Sequence, residues 1–497
     1  GEMGVRLALG AGRLALLRQL LIENLLLFVL GAVVGVPVAV AGVRWLLAAT
    51  PGGLPRAEEI GVDGPVLAAA FVFATVLGLL FGLLPALQAA RTRIAGRLPG
   101  RSGGGSAAQA LRSGLGIGQL ALSVTLLAGA GLLARSLWEL QNVDPGFRPE
   151  GLTVLRMSLP DDYAGERVPA FYRALPERLG AIPGVEAVTA TNALPVSGGE
   201  GRGEITVDGR PFDPGSAPSA SFRRVLPGYF DVMGIPVLAG RDFDERDGRG
   251  EPVVIVNATL AERMFPNGSA IGRRIRVGPS EDEPWLTVVG VVGDVRNETL
   301  EEVDAFATYE PHAQRPWSSM YVVARAAGGD PAALVAPIRD AVLAREPGLY
   351  VYEGGTMEER MADSTAARRF IATLLGGFAL LALLLGTIGV YGLTAWTVAR
   401  RRREMGIRMA LGASHGRIVA RMVGGAARLA AVGLALGSVG AVLFGRLLRG
   451  LLFEVSPFDP STGLAIAAAL GAATLLAAWL PTRRLEHADT VTVLAEP

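Results

Sequence analysis

Six long stretches without a charged side chain restrict this sequence more than any other feature. These stretches are residues 24–43, 64–90, 113–134, 370–399, 429–445 and 460–482. A helix needs about 20 apolar residues to cross the roughly 30 Å hydrocarbon core of a bilayer. A charge at the centre of such a helix costs roughly 2.5–3.5 kcal/mol, and here the charges lie only at the ends. The sequence therefore predicts a polytopic α-helical membrane protein with about six transmembrane helices.

Arginine residues cluster in the segments that follow the second, fourth and sixth predicted spans. The clusters are Arg91, Arg93, Arg97, Arg101 and Arg112; Arg400, Arg401, Arg402, Arg403, Arg408, Arg417 and Arg421; and Arg483 with Arg484. Alternating spans put all three clusters on one side of the membrane, and the positive-inside rule makes that side cytoplasmic. The segment 139–369 is therefore expected on the outside, because long domains are translocated largely regardless of their charge.

The outside segment 139–369 has the patterning of a folded α+β domain. It begins and ends with a predicted strand–helix–strand unit. The units are 152–158, 168–179 and 185–191 near its start, and 320–324, 331–344 and 349–352 near its end. Residues between them, about 200–316, read mostly as strands and turns. The pattern predicts an extracytoplasmic α+β domain that contains an inserted β-rich subdomain.

Two residue types that carry much enzyme chemistry are missing from this sequence. All 47 basic residues are arginine, and there is no cysteine. The sequence therefore has no Walker A lysine, no Schiff-base lysine and no thiolate. Its net charge of +1 is untypical of a nucleic-acid-binding protein. We predict no catalytic, cofactor or metal site, because the three histidines are scattered along the sequence. The acidic pairs and clusters are expected in turns and at the surface; they are Asp161, Asp162, Asp242, Asp244 and Asp247.

A ten-residue segment occurs twice. Residues 2–11 read EMGVRLALGA and residues 404–413 read EMGIRMALGA, and each copy precedes two apolar stretches. The chain therefore holds two copies of one membrane module. The motif predicts a short cytoplasmic helix that ends at Gly412, with Glu404 and Arg408 paired across one turn. Such a helix can lie on anionic lipid or dock in a groove of a cytoplasmic partner. The two copies share nearly the same residues and not only the same apolar pattern, which favours docking to a partner.

Pairs of glycines recur inside the predicted spans. They are Gly31 and Gly35, Gly433 and Gly437, and Gly376 with Gly377. Small residues let helices approach closely in lipid, so these pairs predict helix packing and not a pore. No predicted span carries an acidic residue or an arginine near its centre, which argues against an ion-coupled secondary transporter.

With these motifs, the chain resembles ABC-transporter permeases of the FtsX-like and MacB-like type. The repeated segment with its two spans resembles the FtsX-like permease domain, and the outside segment resembles the MacB-like periplasmic core domain. The pieces that carry the second likeness are 228–236, 240–243, 254–257 and 288–295. Two copies in one chain are similar to the duplicated-permease subgroup, whose complete members have eight spans and two outside domains. We therefore expect the chain to be truncated at its N-terminus.

The resemblance implies a mechanism. A separate cytoplasmic ATPase would bind ATP and would also bind the two repeated segments, which would serve as coupling helices. Its cycle of ATP hydrolysis would change the shape of the periplasmic domain. This contact is carried over onto Glu2, Met3, Gly4, Arg6, Ala8, Gly10, Glu404, Met405, Gly406, Arg408, Ala410 and Gly412. The resemblance also implies a multi-pass protein of the cell inner membrane, with no cofactor of its own and with periplasmic or outer-membrane partners. The rival hypothesis is a membrane-anchored periplasmic scaffold or regulator without ATP coupling.

The expected organisation follows from spans, repeat and resemblance. Residues 1–94 form the first, incomplete permease module, and 95–112 form a cytoplasmic linker. A transmembrane helix at 113–138 leads into the periplasmic core domain at 139–369. Residues 370–497 form the second module, with three transmembrane helices and its coupling helix.

Overall fold

The structure is a computed structural model, and the chain divides into two compact units. It describes residues 13–48, 60–92, 104–163, 165–196, 201–210, 212, 216–278, 280, 282–297, 300, 306–410, 415–456 and 459–483. One unit, here the membrane unit, lies within residues 1–137 and 368–497. The other, here the periplasmic domain, is Trp138–Ala367.

Helices and strands alternate along the periplasmic domain, whereas the described part of the membrane unit consists of helices and short connections. The α-helices are α1 Arg13–Ala48, α2 Gly64–Thr92, α3 Gly104–Gln141, α4 Arg167–Arg173, α5 Leu175–Gly180, α6 Tyr229–Met233, α7 Ala258–Met264, α8 Val335–Arg345, α9 Met357–Ser364, α10 Ala366–Ala410, α11 His415–Leu447 and α12 Pro460–Arg483. The strands are β1 Leu152–Ser158, β2 Val185–Thr191, β3 Gly201–Val207, β4 Ser219–Val225, β5 Val237–Gly240, β6 Val253–Asn257, β7 Arg274–Val277, β8 Leu286–Val292, β9 Ala307–Pro311, β10 Ser319–Ala326 and β11 Tyr350–Thr356.

Five helices in the described part of the chain are long and apolar enough to cross a membrane. Their spans are Leu25–Ala48, Ser113–Gln141, Ala366–Val398, Val423–Leu451 and Pro460–Pro481, and a shorter apolar stretch covers Gly64–Leu79. Large apolar side chains on these helices are exposed, as for Val34 at 66% and Leu464 at 75%. Only a lipid environment stabilises so much exposed apolar surface along helices. The chain is therefore a multi-pass membrane protein, as predicted.

Helix α3 begins earlier than its predicted span. It starts at Gly104, inside the segment 95–112 that the sequence indicates as a linker. Residues 104–112 include three alanines and a leucine, which favour helix, and contain no proline. The predicted linker residues 95–103 lie outside the described part of the chain.

The first four strands of the periplasmic sheet form two interleaved strand–helix–strand units. Their order across the sheet is β11-β1-β10-β2, and every neighbouring pair is antiparallel. Strands β1 and β2 are thus parallel with β10 between them, and β10 and β11 are parallel with β1 between them. Helices α4, α5 and α8 cover one face, where Leu155, Met157 and Val322 are buried. Both predicted units are present, joined as a split βαβ sheet.

Strands β3 to β9 follow β2 and precede β10 in the chain, and they form a second lobe. Their order is β4-β3-β7-β8-β6-β9, with β5 on β8, and a parallel pairing of β4 with β9 closes the ring. This lobe has its own core, which includes Ile205, Val254 and Val288. The β-rich insertion predicted near 200–316 is therefore present as a small closed ring of strands.

Candidate functional site

The second copy of the repeated segment, residues 404–413, forms the end of a membrane helix as far as Ala410 and not a separate short helix. Helix α10 runs without a break for 45 residues from Ala366 to Ala410. Residues Glu404, Met405, Gly406, Arg408 and Ala410 have helical backbone within it. The prediction of a separate helix was wrong because no proline interrupts 366–410 and the arginines after the span favour helix. The remaining predicted contact residues, Glu2, Met3, Gly4, Arg6, Ala8, Gly10 and Gly412, lie outside the described residues.

Helix α10 is longer than a bilayer requires. Its apolar span covers Ala366–Val398, so 12 residues continue beyond the span as far as Ala410. At 1.5 Å per residue the whole helix is about 68 Å long. The helix also begins only four residues before the predicted span at 370. The last 12 residues therefore continue the helix from the apolar span into the repeated segment.

Glycines of helix α11 allow close contact with helix α3, as predicted. A Cβ atom at Gly433 would lie 2.7 Å from the Cβ atom of Leu120. One at Gly437 would lie 2.5 Å from Val124 Cβ and 2.8 Å from a backbone carbonyl oxygen of α3. Both glycines are buried. No side chain larger than hydrogen fits at these positions without moving the helix backbones.

The other predicted glycine pairs do not pack in this way. A Cβ atom at Gly31, Gly35, Gly376 or Gly377 would meet nothing within 4 Å. Among the described residues, these two pairs therefore have no packing partner, so their predicted packing is not seen there. Spacing of small residues indicates only that close approach is possible, and it cannot say which faces have a partner helix.

A polar contact ties helix α3 to the start of helix α12. The Arg135 guanidinium lies 2.6 Å from the Asp459 carboxylate and donates a hydrogen bond of 2.7 Å to Ser461 Oγ. Asp459 also accepts a 2.9 Å hydrogen bond from the backbone N–H of Thr462, as a helix N-cap does. Hydrogen bonds from Thr462 and Ser461 hold the pKa of Asp459 below its ordinary range. Helices α3 and α12 are thus fixed at one end by charge and capping together.

The two lobes of the periplasmic domain are joined by a narrow polar seam. Between β2 and β4 the described ladder has one residue pair, Thr191 with Val225. Beside it, Glu310 on β9 is only 2% exposed and lies 3.4 Å from the Arg315 guanidinium. Burial raises the pKa of the Glu310 carboxyl. The guanidinium of Arg224 lies 4.8 Å from the ring centre of Trp317.

His312 belongs to the same seam and contacts both lobes. Its ring lies edge-on to Tyr172, which belongs to the core of the split βαβ lobe, at 4.9 Å between ring centres. Nε2 is 3.1 Å from the backbone nitrogen of Trp317 and 3.0 Å from its carbonyl oxygen. Either neutral tautomer therefore has a partner. Burial lowers the pKa of His312, and the positive charge of Arg224 adds to this.

A falling pH should therefore weaken the periplasmic domain. The pKa of His312 is lower in the fold than in the unfolded chain, where it lies near 6.5. As the pH falls through this range the unfolded state binds more protons at this residue, so its contribution to stability falls. We therefore expect the stability of the domain to be lower at pH 5.5 than at pH 7.5. Hydrogen exchange of the β10 amides, corrected for the intrinsic pH dependence, measures it. His312→Gln should remove most of the slope, and an unchanged slope in this variant would contradict the assignment.

One of the carboxylates expected at the surface is buried. Asp247 is 5% exposed, and its two oxygens accept hydrogen bonds of 2.6 and 2.7 Å from Arg241. This pairing lowers the pKa of Asp247. Asp244 begins the same turn and caps it with Asp247. The prediction for Asp247 was wrong because two hydrogen bonds from the Arg241 guanidinium compensate for the burial of its charge.

Comparison with known proteins shows which family the chain belongs to. Residues 113–341 match the model of the MacB-like periplasmic core domain. Residues 1–94 and 376–489 both match the model of the FtsX-like permease C-terminal domain. The chain belongs to the FtsX-like and MacB-like family of ABC-transporter permeases. The two separate matches to one model also agree with the repeat found in the sequence.

The similar curated proteins are longer than this chain. The macrolide export ATP-binding/permease protein MacB of Chromobacterium violaceum is 28% identical over 276 residues, 54% of this chain and 42% of that protein. A probable syringafactin export ATP-binding/permease protein, SyfD of Pseudomonas syringae pv. syringae, is 29% identical over 202 residues, 39% of this chain and 30% of that protein. The chain thus spans less than half the length of these relatives.

Solved structures with a local likeness are periplasmic or extracellular domains. The periplasmic region of MacB from Actinobacillus actinomycetemcomitans aligns with 44% of this chain and 95% of its own length, at 14% identity and a TM-score of 0.31. The extracellular domain of the noncanonic ABC-type transporter YknZ from Gram-positive bacteria aligns with 40% of this chain and 100% of its own length, at 17% identity and a TM-score of 0.27.

Proposed function

We propose that this permease couples ATP hydrolysis by a separate cytoplasmic ATPase to a change of shape in its periplasmic domain. The observation that carries the proposal is helix α10, a 45-residue element that ends in the repeated coupling segment. A continuous helix transmits displacement or rotation from one end to the other, because its backbone hydrogen bonds resist bending. Force applied at residues 404–410 would thus reach the residues beside the periplasmic domain.

The periplasmic domain has a feature that suits such coupling. Its two lobes have separate hydrophobic cores, and the ladder between β2 and β4 that joins them has one described residue pair, next to the polar cluster of Glu310, Arg315 and Arg224. Polar contacts between two lobes can rearrange without exposing much apolar surface. If the lobes shared one hydrophobic core, the same movement would expose more of it. We propose that the ATPase cycle opens and closes this join. The named relatives are export proteins. This supports a role in which the ATPase cycle drives export across the cell inner membrane.

The chain itself contributes no nucleotide chemistry in this proposal. Its sequence has no lysine for a phosphate-binding loop, so ATP would be bound by the partner. Among the described residues, no group of three or more potential metal ligands lies together. The proposed partners are therefore the ATPase, the lipid bilayer and envelope proteins that meet the periplasmic domain.

Charge reversal in the coupling segment tests the proposal. We expect Glu404→Arg combined with Arg408→Glu to lower retention of the co-purifying ATPase at least tenfold, which corresponds to about 1.4 kcal/mol. The reason is that a docked helix presents fixed charges to its groove. Quantitative co-purification of the tagged full chain from detergent-solubilised membranes measures the retention.

Arg421→Glu is the matched control. Arg421 is exposed on helix α11, outside the repeated segment, and its reversal should leave ATPase retention unchanged. Equal retention by the double reversal and by the wild-type chain would contradict the coupling role. Absence of any P-loop ATPase from the purified wild-type complex would favour a periplasmic scaffold without ATP coupling.

A further inference from the structure

A groove lies on the helical face of the split βαβ lobe. Helices α5 and α8 each place two apolar residues four apart in the core: Leu175 and Leu179 on α5, and Ile338 and Val342 on α8. Between these helices is a cavity of about 310 Å³, and Leu175, Leu179 and Val342 line it. The floor of the groove is therefore apolar and continuous with the core. A ligand that entered the groove would contact the core directly.

Two arginines supply the polar part of the lining. Arg178 lies in the last turn of α5 and Arg345 in the last turn of α8, and both line the cavity. Both side chains are exposed, and neither forms an ion pair with a residue that the structure describes. No acidic residue is among the described residues that line the groove. The groove thus combines an apolar floor with two positive charges that are not neutralised in place.

Arginines in the last turn of a helix have a second explanation. A cation there stabilises the helix, because it lies near the negative end of the helix dipole. This effect accounts for Arg178 and Arg345 one at a time. It does not require that both line the same apolar cavity, and it predicts no preference for a ligand.

The size of the groove determines what kind of partner it can accept. Seven residues line it, whereas a stable protein–protein interface takes about 20–30 residues on each side. Small-molecule sites have volumes of about 300–1,000 Å³, with apolar walls and a few polar groups that fix the orientation of the ligand. The volume of this cavity lies at the lower end of that range. It therefore suits a small molecule with one apolar chain.

We propose that the groove binds a small amphiphilic anion, whose alkyl chain lies on Leu175, Leu179 and Val342 and whose carboxylate binds Arg178 and Arg345. Guanidinium groups bind carboxylates through short, charge-assisted hydrogen bonds that are often paired. Each methylene group buried on the apolar floor strengthens binding about fourfold. Binding at this site does not involve ATP, so the inference does not rest on the proposed function.

Protection of a single cysteine from modification tests the proposal, because the chain has no cysteine of its own. Ala341 lines the groove, whereas Ala344 on the same helix does not, and both are exposed. The full chain with Ala341→Cys or Ala344→Cys is placed in lipid nanodiscs and treated with methyl methanethiosulfonate. The probe is decanoate. We expect saturating decanoate to slow modification of Ala341→Cys at least tenfold and to leave the rate for Ala344→Cys unchanged.

Two further probes test the chemistry of the ligand. Decyltrimethylammonium has the same alkyl chain with a positive charge, and it should not protect Ala341→Cys. Its partition into the nanodisc lipid makes it the control for effects of decanoate on the bilayer. Hexanoate has four fewer methylene groups and should need at least a tenfold higher concentration for half protection.

Substitutions of arginine test the two proposed contacts. In the Ala341→Cys chain, Arg178→Gln or Arg345→Gln should raise the concentration of decanoate for half protection at least tenfold. Arg339→Gln is the matched control and should leave this concentration unchanged. Arg339 is exposed on α8 and lies outside the lining of the groove.

Three results would overturn the proposal. Equal protection by decanoate and decyltrimethylammonium, or equal protection of both cysteines, would mean that the amphiphiles act through the bilayer. Unchanged protection in Arg178→Gln and Arg345→Gln would leave these arginines with a role at the helix ends alone. An Ala341→Cys chain that reacts in detergent but is already protected in nanodiscs without decanoate would make a bilayer lipid the occupant.

Discussion

Gly437→Leu should prevent stable assembly of the membrane unit. A Cβ atom at this position would lie 2.5 Å from Val124 Cβ and 2.8 Å from the carbonyl oxygen of Ala121. The second contact is with backbone, so α3 and α11 must move apart before any side chain fits. Separation would break up the core that contains Leu120, Val124 and Leu470. We expect a loss of about 3 kcal/mol, at the upper end for overpacked cores.

Gly425→Leu is the matched control for this loss. Gly425 lies in the same helix and span, and an added Cβ atom would meet nothing within 4 Å. Thermal unfolding in detergent, followed by size-exclusion chromatography of both variants, measures the difference. The expected result is a clearly lower midpoint and less monodisperse protein for Gly437→Leu alone. Equal midpoints would mean that α3 and α11 do not pack through this glycine.

Much of the fold follows from the sequence because each signal is local. Strands β1 and β2 begin and end at the predicted residues, 152–158 and 185–191. Each is a short run rich in apolar and β-branched residues that begins directly after a glycine, Gly151 or Gly184. The apolar stretches likewise indicate the membrane helices, since length and absence of charge are properties of a single segment.

Contacts between distant segments were harder to predict. Gly31 and Gly433 have similar surroundings of small and apolar residues in the sequence, yet among the described residues a helix packs against Gly433 and none packs against Gly31. Burial of Asp247 depended on Arg241 adopting a bidentate geometry. The closed ring of β3 to β9 needs the parallel pairing of β4 with β9, which joins residues more than 80 positions apart. Such partners are chosen by tertiary packing, and no local pattern encodes them.

The length of α10 was underestimated for a different reason. The predicted span ended where the arginines begin, because charges end a membrane segment. Charges do not end a helix, however, and arginine is a good helix former. The helix therefore continues to Ala410 and includes the described part of the coupling segment. This continuity makes a mechanical role testable at a single backbone position.

Arg402→Pro should disconnect the coupling segment from the span. Residue 402 lies after the span, which ends at Val398, and before the repeated segment. Proline there removes a backbone hydrogen bond and clashes with the preceding turn, at a cost of about 3 kcal/mol or more within a helix. The break would separate two helical pieces that each keep their own contacts. We expect the co-purifying ATPase to remain bound, while its stimulation by the permease falls at least tenfold.

Arg402→Ala provides the control, since alanine removes the same charge and keeps the helix. It should retain most of the ATPase stimulation, measured as phosphate release in proteoliposomes at equal amounts of bound ATPase. The span should survive in both variants, because Gly386 and Gly389, where α10 lies close to α3, are more than ten positions before the break. If the proline and alanine variants stimulate ATP hydrolysis equally, a rigid connection through α10 is not how the two ends communicate. The coupling would then have to pass through other helices of the membrane unit.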